Sequence, residues 1–447
     1  MLPVTAFRGL SYSLDRYGAH DVPPRVRLPG EPAEHPGRIA DVSDVVCPPF
    51  DVIGEVDRRA LLNKHPRNAV RLERAAGDDP YGAAAAALHE WTADGTLQRR
   101  SDACLYYYAH GTSAAPDEPS VRGVVARVLL EPWGARVRPH ERTLSGPKHD
   151  RLRLLQRTGT QFSAILAIYF DRSDRYRHVM SRSWSDEWRA RDSEGILHQV
   201  AAVEPDARLL QFLARQQLFV ADGHHRYETA LAYQAQVRED GGHRRAPPGS
   251  LAADWVMAVL VNAEAEDLEV LPTHRLVRGV DPDVVQRLPE RLAERWDVES
   301  VPAAALWVHV DELAAEPRPV VGLVMPDDRG FVLTARSEEI DARMRSEPSS
   351  TAARRLDLSV LHAAIFRDLL GIDVSSEAAG DRLSYTKDAD DVLAGVASGE
   401  AQAAFIVRPT RLEDLAAVAR AADVMPQKST YFHPKLLTGL VFNPLED

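Results

Sequence analysis

Cysteine is nearly absent from this chain, and its scarcity excludes two kinds of structure. Only Cys47 and Cys104 occur among the 447 residues. Two isolated cysteines supply neither the CxxC spacing of a structural zinc site nor a disulfide framework. Because such sparse use of cysteine is typical of proteins in reducing compartments, we expect a cytoplasmic location.

Long apolar runs are also missing. No stretch approaches the roughly 20 residues that a transmembrane helix needs, and the first 13 residues lack a basic segment followed by an apolar one. We therefore expect neither a signal peptide nor a membrane partner.

The chain has no excess of positive charge. Its 54 basic and 66 acidic residues give a formal net charge of −12. Nucleic-acid binders usually present a basic face, so this balance argues against a nucleic-acid partner and leaves room only for a local basic pocket.

Lysine is the scarcest charged residue. Only five of the 54 basic residues are lysine: Lys64, Lys148, Lys387, Lys428 and Lys435. Where arginine serves as the general cation, a remaining lysine can mark a place that needs a compact ammonium group, as in phosphate chemistry. Chance is the alternative, and we prefer it for Lys64 and Lys387.

The remaining composition is that of a globular protein with room for two or three domains. Strand and helix patterns mix without strict alternation, which predicts an α+β fold with mixed sheets. A polar stretch at 238–250 predicts an exposed loop, so we expect an N-terminal region 1–240 and a C-terminal region 251–447. The patterns predict helices near 55–64, 80–93, 281–295, 356–370 and 412–422, and strands near 104–109, 121–130, 164–170, 255–262, 320–325, 330–335 and 403–407.

The most informative segment is 218–236. An apolar run at 218–221 predicts a buried strand, Asp222-Gly223 breaks it, and a helical pattern follows from His224. Such a corner directs backbone N–H groups and the positive end of a helix dipole at one point, which suits an anion, above all phosphate.

Several polar residues crowd this corner. Gly223, His224, His225 and Arg226 are the predicted phosphate or nucleotide ligands. Asp222 is a candidate to accept a proton from a hydroxyl, and Asp222 with Glu228 is the candidate pair for Mg²⁺. The structural alternative makes Asp222 a helix cap, Glu228 a partner of the helix dipole and the histidines solvated.

A second constellation lies near the C-terminus at 425–435. Two prolines discourage regular structure there, while Lys428, Ser429, Thr430 and Lys435 offer ammonium and hydroxyl donors for phosphate. The segment lacks the glycines of a P-loop. The alternative is a polar loop with ordinary surface lysines.

A third constellation spans 140–151 and is dense in titratable groups. Glu141 or His140 is a candidate general base, and Lys148 or Arg151 a candidate electrostatic clamp. A solvated loop that precedes a helix explains the same residues equally well. Two weaker candidate segments are the stretch 68–73, which ends in Glu73, and the stretch 271–275, in which we expect His274 to be a structural histidine.

These segments together resemble an uncharacterised prokaryotic family, domain of unknown function one-thousand-fifteen. The resemblance lies in five ordered pieces that span nearly the whole chain: 48–53, 140–151, 219–230, 271–275 and 425–435. The family itself implies no activity.

A more distant resemblance concerns the segment Asp-Gly-His-His-Arg at 222–226. It is similar to the phosphate-binding turn of the ParB/sulfiredoxin-like superfamily, which includes partition proteins, sulfiredoxins and free-serine kinases. This resemblance implies a ParB/sulfiredoxin-like core with added α/β elements. The turn contains no cysteine and no basic helix pair is evident, so neither sulfinic-acid repair nor a partition role is expected.

We therefore expect a kinase-like phosphotransferase that uses ATP or ADP with Mg²⁺ and acts on a small hydroxylated metabolite, with serine as the analogy-based example. Asp222, Glu141 and Lys148 are its predicted catalytic residues. Two alternatives stay open: a nucleotide-binding switch without catalysis, and a phosphatase that uses the same anion pocket.

Overall fold

The computed structural model describes residues 3–18, 38–141, 146–174, 186–347, 349–374 and 380–445. The chain divides into two compact units. Unit 1 comprises Met1–Arg138, Ser145–Glu269 and His433–Asp447, and unit 2 comprises Pro139–Leu144 and Val270–Phe432.

This division differs from the two regions expected from the sequence. The stretch after 240 does not begin a new unit, because the strand Trp255–Asn262 pairs with strands on both sides in the sheet of unit 1. The last residues return to unit 1, and a short piece at 139–144 belongs to unit 2. The amino-acid composition does not indicate that distant segments of the chain join the same unit.

Unit 1 is built around one large mixed sheet. The strands of the whole unit are β1 (Val4–Thr5), β2 (Leu10–Tyr12), β3 (Arg38–Asp41), β4 (Leu97–Arg99), β5 (Leu105–His110), β6 (Val121–Leu129), β7 (Val137–Pro139), β8 (Thr160–Gln161), β9 (Ile165–Tyr169), β10 (Asp186–Arg191), β11 (Leu197–Val203), β12 (Leu218–Asp222), β13 (Trp255–Asn262) and, near the C-terminus, β22 (Asn443–Pro444). β2 pairs with β4 and β8 with β22 outside the large sheet. The helices of unit 1 are α1 (Leu14–Tyr17), α2 (Glu55–Lys64), α3 (Val70–Glu73), α4 (Pro80–Ala93), α5 (Gly146–Thr158), α6 (Ala207–Leu213) and α7 (His224–Asp240), with 3₁₀ turns at Phe50–Val52 and Ala252–Asp254.

Ten strands of the described residues form that sheet, in the order β3-β10-β11-β5-β6-β13-β9-β12-β7 with β1 added beside β6. β5 and β6 are an antiparallel pair, as the turn-rich stretch 111–120 between them predicts. β13 runs parallel to β9, and β12 runs antiparallel to β9 with a register shift between Val220 and Asp222. The irregularity therefore falls at the end of β12, where the chain enters the corner.

The centre of this sheet forms because its strands are continuous apolar runs. Residues 218–221 of β12 are all buried, as a strand covered on both faces requires. Val220, with Tyr227 and Ala230 of α7, belongs to one buried cluster with residues of β6, β9 and β13. The strand and the helix that flank the corner are thus both anchored in the core.

Unit 2 contains a second, smaller sheet. The strands of this part of the chain are β14 (Glu269–Leu271), β15 (His274–Val277), β16 (Trp296–Pro302), β17 (Val320–Met325), β18 (Arg329–Ala335), β19 (Leu383–Thr386), β20 (Ala403–Val407) and β21 (Tyr431–His433). β14 and β21 pair with each other outside the smaller sheet. The α-helices of unit 2 are α8 (Pro282–Gln286), α9 (Leu288–Leu292), α10 (Leu306–Glu312), α11 (Ser337–Met344), α12 (Thr351–Arg354), α13 (Asp357–Val360), α14 (Ala389–Ala397) and α15 (Leu412–Arg420), with a 3₁₀ turn at Ala303–Ala305.

The six-stranded sheet of unit 2, among the residues described, has the order β16-β18-β17-β20-β15-β19. Alternate residues of its central strands face two different buried clusters. In β20, Phe405 belongs to one cluster and Ile406 to the other. Because successive side chains of a strand point to opposite faces, both faces of this sheet are covered.

Two elements differ from the sequence expectation. The predicted helix 356–370 is an α-helical turn followed by a π-helix at Leu361–Arg367, which apolar spacing does not distinguish from an α-helix. The strand Asp186–Arg191 was not expected, since four of its six residues are charged. Glu187 and Arg189 are buried there and form an ion pair with each other.

The chain is an α+β protein with several sheets, as the sequence predicts. Throughout the described ranges, no helix has the combination of length and apolar character that a membrane crossing requires.

A buried histidine pair in unit 1 has a consequence for stability. Burial, together with the neighbouring His198, lowers the pKa of His110 to about 3. Burial also lowers the pKa of His198, although its contact with Asp192, at 3.3 Å, opposes that shift. Both rings are therefore neutral in the folded protein at pH 7.

We expect the free energy of unfolding to fall as the pH is lowered from 7 to 4. The unfolded chain takes up a proton at His110 near pH 6.5, whereas the folded chain resists protonation until about pH 3. The loss due to His110 is at most about 3 kcal/mol over that range. His110→Gln should flatten the profile in urea denaturation at several pH values, while His309→Gln, at a half-exposed position, should leave it unchanged. Parallel profiles for His110→Gln and the wild type would contradict this expectation.

Candidate functional site

The corner between β12 and α7 has the geometry predicted from the sequence. Asp222 is the last residue of the strand, Gly223 is the N-cap and His224 is the first helical residue. Since glycine has no side chain, no side-chain cap covers the start of the helix. The positive end of the helix dipole therefore lies directly beside Asp222.

Gly223 is required at this corner for two reasons. Its φ is +89°, in the left-handed region that side chains disfavour. In addition, a Cβ atom at this position would lie 3.0 Å from the guanidinium carbon of Arg226 and 3.0 Å from a methyl group of Ile165. The Arg226 side chain thus folds back over the turn itself.

Asp222 is held between two cations. Its Oδ2 accepts from Nη2 of Arg226 at 2.5 Å, and its Oδ1 accepts from Nζ of Lys435 at 2.5 Å. The three side chains are only 10–13% exposed. Arg226 also donates to the carbonyl of Ala164. Two of the predicted constellations, 222–228 and 425–435, therefore meet in unit 1 through Asp222 and Lys435.

The charge state of Asp222 follows from these contacts. Burial alone would raise the pKa of its carboxyl group, but Lys435 and Arg226, with a smaller contribution from His224, hold that pKa far below its usual range. A carboxylate with so low a pKa is a poor proton acceptor at neutral pH. The geometry therefore favours a positioning role for Asp222 over the acid–base role predicted from the sequence.

The first turn of α7 is fixed by an aromatic contact. Trp133 stacks on Tyr227 with ring centroids 4.2 Å apart, and the Tyr227 hydroxyl donates to the carbonyl of Glu131 at 2.8 Å. Trp133 Nε1 donates to Glu228 at 3.3 Å. His224 is buried and its ring lies 6.3 Å from that of Trp133, whereas His225 is partly buried.

Unit 2 brings together parts of the other two constellations. His140 is buried and its Nε2 lies 2.7 Å from the hydroxyl of Thr430. Glu141 Oε2 accepts from the backbone N–H of Ser429 at 3.4 Å. The backbone N–H of Met425 donates to the carbonyl of His140 at 2.8 Å. Hydrogen bonds thus join the dipeptide His140-Glu141 to the dipeptide Ser429-Thr430, and these four residues form a second cluster.

Arg275 organises the loop that carries Lys428. Its side chain is fully buried, and its Nη2 donates to the carbonyl of Lys428 at 2.9 Å. Lys428 itself has a φ of +56°, an uncommon conformation for a residue with a side chain. The sequence pattern singled out His274 as a weak signal, whereas in this loop it is the next residue that makes the contact.

One predicted site residue cannot be placed. Lys148 lies in α5, but its side chain falls outside the described residues, as do residues 142–145. Its catalytic role stays a prediction, as do the roles of Glu141, Lys428, Ser429 and Thr430.

Unit 1 also contains a cavity of about 370 Å³. Glu73, at the end of α3, is a buried carboxylate on its wall, and Arg151 donates to the Glu73 carbonyl at 2.7 Å. The guanidinium of Arg151 lies over the ring of Phe50, 4.3 Å from its centroid. Tyr81 donates to Asp150 at 2.9 Å. Further lining residues are Arg74, Ala75, Pro80 and Leu154.

One dipeptide, Ser163-Ala164, contacts both the cavity wall and the corner. Ser163 Oγ donates to Glu73 Oε1 at 3.0 Å and lies 2.5 Å from the hydroxyl of Thr438. The next residue, Ala164, supplies the carbonyl that accepts from Arg226. Glu73 belongs to the stretch 68–73, a weak candidate in the sequence, whereas no sequence pattern indicates Ser163 or Thr438.

The sequence predicts Asp222 and Glu228 as the ligands of Mg²⁺. Each oxygen of Asp222 already accepts from a cation, and Glu228 accepts from Trp133. Within the described ranges, no three acidic, histidine or cysteine side chains are grouped to hold a metal ion. As arranged, the pair does not fit a preformed Mg²⁺ site, and Mg²⁺ binding stays a prediction.

Residues 31–359 match a family model described as "Protein of unknown function (DUF1015)". The chain belongs to this family. The matched range includes β12, Gly223 and α7 as well as the residues that line the cavity. A comparison with curated proteins found no significant match.

Several solved structures are weakly similar to the chain. A free serine kinase in complex with AMP is 15% identical with a TM-score of 0.34, covering 66% of this chain and 83% of that one. A variant of that kinase in complex with ADP is 13% identical with a TM-score of 0.35, covering 66% and 84%. A conserved hypothetical protein from Pyrococcus furiosus is 14% identical with a TM-score of 0.34, covering 67% and 89%. A likeness of this size establishes no shared activity.

Proposed function

We propose that the protein is a nucleotide-dependent phosphotransferase that acts on a small hydroxylated metabolite. One observation carries this proposal: a buried carboxylate holds an arginine and a lysine beside the uncapped start of a helix. The two cations and one carboxylate leave a single net positive charge at a corner that the helix dipole also makes positive. Such an arrangement suits phosphate oxygens.

Each residue of the corner has a distinct part in this proposal. Gly223 allows a phosphate to approach the backbone, and His224, His225 and Arg226 surround the phosphate chain of ATP or ADP. Arg226 has five N–H groups, and its two contacts with protein oxygens leave others for a phosphate. Lys435 stabilises the charge on the transferred group, and Asp222 fixes both cations in place.

The role of Glu141 as a base, and those of Lys148, Lys428, Ser429 and Thr430 as further donors, stay predictions from the sequence. Mg²⁺, which would neutralise charge on the phosphates when bound, would reach the site with the nucleotide and its own water ligands. The proposed phosphate ligands of the corner all belong to unit 1, so phosphate binding does not depend on these further residues.

An assay of phosphoryl transfer tests the proposal. The protein is mixed with ATP or ADP, Mg²⁺ and a panel of hydroxylated amino acids and other small alcohols, and new phosphomonoesters are detected by phosphorus NMR. We expect a phosphomonoester in at least one mixture, and its formation should be reduced at least a hundredfold in Asp222→Asn. Nucleotide binding without product in any mixture would support the switch instead, and phosphate release from phosphorylated compounds without a nucleotide would support a phosphatase.

A further inference from the structure

We infer that the cavity of unit 1 is a subsite for a small zwitterion, a molecule that carries both a carboxylate and an ammonium group. This inference rests on the proposed function, in which the cavity would hold the acceptor. Its basis is the cavity lined by Glu73, Arg74, Asp150 and Arg151. Glu73 accepts from Ser163, and the next residue, Ala164, accepts from Arg226 of the phosphate corner.

The charges of the wall decide the class of ligand. Two carboxylates, Glu73 and Asp150, face two guanidinium groups, Arg74 and Arg151, so the lining has no net charge. A nucleotide, which carries several negative charges, would meet two carboxylates here, and a simple cation would meet two guanidinium groups. A zwitterion is attracted at both of its ends.

The charged side chains of the cavity wall are held in place by contacts with other residues. Glu73 is only 3% exposed, accepts from Ser163 and lies 3.7 Å from Arg151. Arg151 is fixed by Asp150, by the carbonyl of Glu73 and by the ring of Phe50. Side chains held this firmly keep their charges in place before a ligand arrives, which reduces the ordering cost of binding.

The size of the cavity and the position of its partly exposed groups fit the same ligand. A volume of about 370 Å³ lies near the lower end of the range for small-molecule sites. Arg74 is the more exposed guanidinium, with 35% of its side chain accessible, and one of its nitrogens donates to Glu55 at 3.3 Å. Because a guanidinium group has five N–H donors, others are available for a ligand carboxylate. The buried carboxylate of Glu73 is then the partner for the ammonium group.

The position next to the corner supports an acceptor role. Thr438, which contacts Ser163, follows Lys435 by three residues. A group bound on the Glu73 side of this dipeptide is therefore within the same hydrogen-bonded network as the cations that hold Asp222. An acceptor site must lie near the phosphate it receives, and the dipeptide Ser163-Ala164 is the observed link between the cavity wall and the corner.

The test compares three ligands of similar size by isothermal titration calorimetry without nucleotide. L-Serine carries both charged groups, D-glycerate lacks the ammonium and ethanolamine lacks the carboxylate. We expect L-serine to bind at least tenfold more tightly than either analogue. Equal affinities for L-serine and D-glycerate, or no binding of any amino acid in a panel of hydroxylated ones, would overturn the inference.

Variants of the full chain locate the site. Glu73→Gln and Arg74→Met should each weaken L-serine binding at least tenfold and leave the affinity for ADP within twofold. Arg74 is partly exposed, so its variant remains informative if Glu73→Gln does not fold. The control is Glu90→Gln, which also removes a carboxylate paired with an arginine and should change neither affinity. Unaltered L-serine binding in Arg74→Met and in folded Glu73→Gln would place the amino acid elsewhere, whereas L-serine binding without any nucleotide binding would overturn the proposed function and leave this subsite standing.

Discussion

Asp222→Ala is expected to lower the free energy of unfolding by about 3–5 kcal/mol, the usual cost of removing one partner from a buried charge cluster. Asp222 accepts hydrogen bonds from both Arg226 and Lys435 and so joins the two cations. Without its carboxylate, two positive charges with little exposure to solvent would repel each other. The change is measured by urea denaturation followed by tryptophan fluorescence.

Two controls separate this effect from the loss of an ordinary ion pair. Asp117→Asn removes an exposed carboxylate that lies 2.6 Å from Arg191, and it should cost less than about 1 kcal/mol. The double variant Asp222→Ala with Lys435→Met removes one of the two stranded cations, so it should be more stable than Asp222→Ala alone. A cost below about 1 kcal/mol for Asp222→Ala would show that the carboxylate does not anchor the corner.

The sign of the pH dependence of this contribution follows from the depressed pKa of Asp222. Since the folded pKa lies below that of the unfolded chain, the stabilisation is fully present above about pH 4 and is lost as the pH falls through the folded value. Near neutral pH the cluster is therefore intact, and its two cations and one carboxylate leave the corner a single net positive charge.

The second large effect is expected for nucleotide binding. Arg226→Ala should weaken the binding of ADP by about 3 kcal/mol, on the order of a hundredfold, because charge-assisted bonds to phosphate oxygens are lost. Arg226→Lys should recover only part of this loss, since lysine keeps the charge but not the planar fork. The affinities are measured by thermal shift over a series of nucleotide concentrations.

Arg244→Ala is the matched control for that series. Arg244 is exposed, lies in the same unit and pairs with Glu239, so its removal should leave ADP affinity within twofold. If Arg226→Ala folds and binds ADP as tightly as the wild type does, Arg226 is not a phosphate ligand.

The local structure of the site was predictable because it depends on neighbours in sequence. An apolar run, a glycine and a helical pattern are enough to predict β12, the turn and α7, and the structure confirms all three. The strands Trp255–Asn262 and Ala403–Val407 were predicted for the same reason. The predicted helix at 281–295 is instead two short helices, α8 and α9, and Pro289 lies in the first turn of the second, where proline is tolerated.

Contacts between distant residues were not predictable in this way. Lys435 and Asp222 are 213 positions apart, and no spacing rule links them; only the scarcity of lysine marked Lys435 as unusual. Glu73 is only weakly indicated by the sequence, because one acid at the end of a short helix has no pattern of its own. Its role depends on Ser163 and Arg151, which approach it through the fold. The ParB/sulfiredoxin-like core stays a prediction.

The central claim is that the corner at Gly223 binds phosphate. The most direct measurement is calorimetric titration of the wild-type chain with ADP, with adenosine and with inorganic phosphate. The account predicts that ADP and phosphate bind, that adenosine binds at least a hundredfold more weakly than ADP, and that Arg226→Ala removes most of this difference. Equal affinities for adenosine and ADP in the wild type would contradict it.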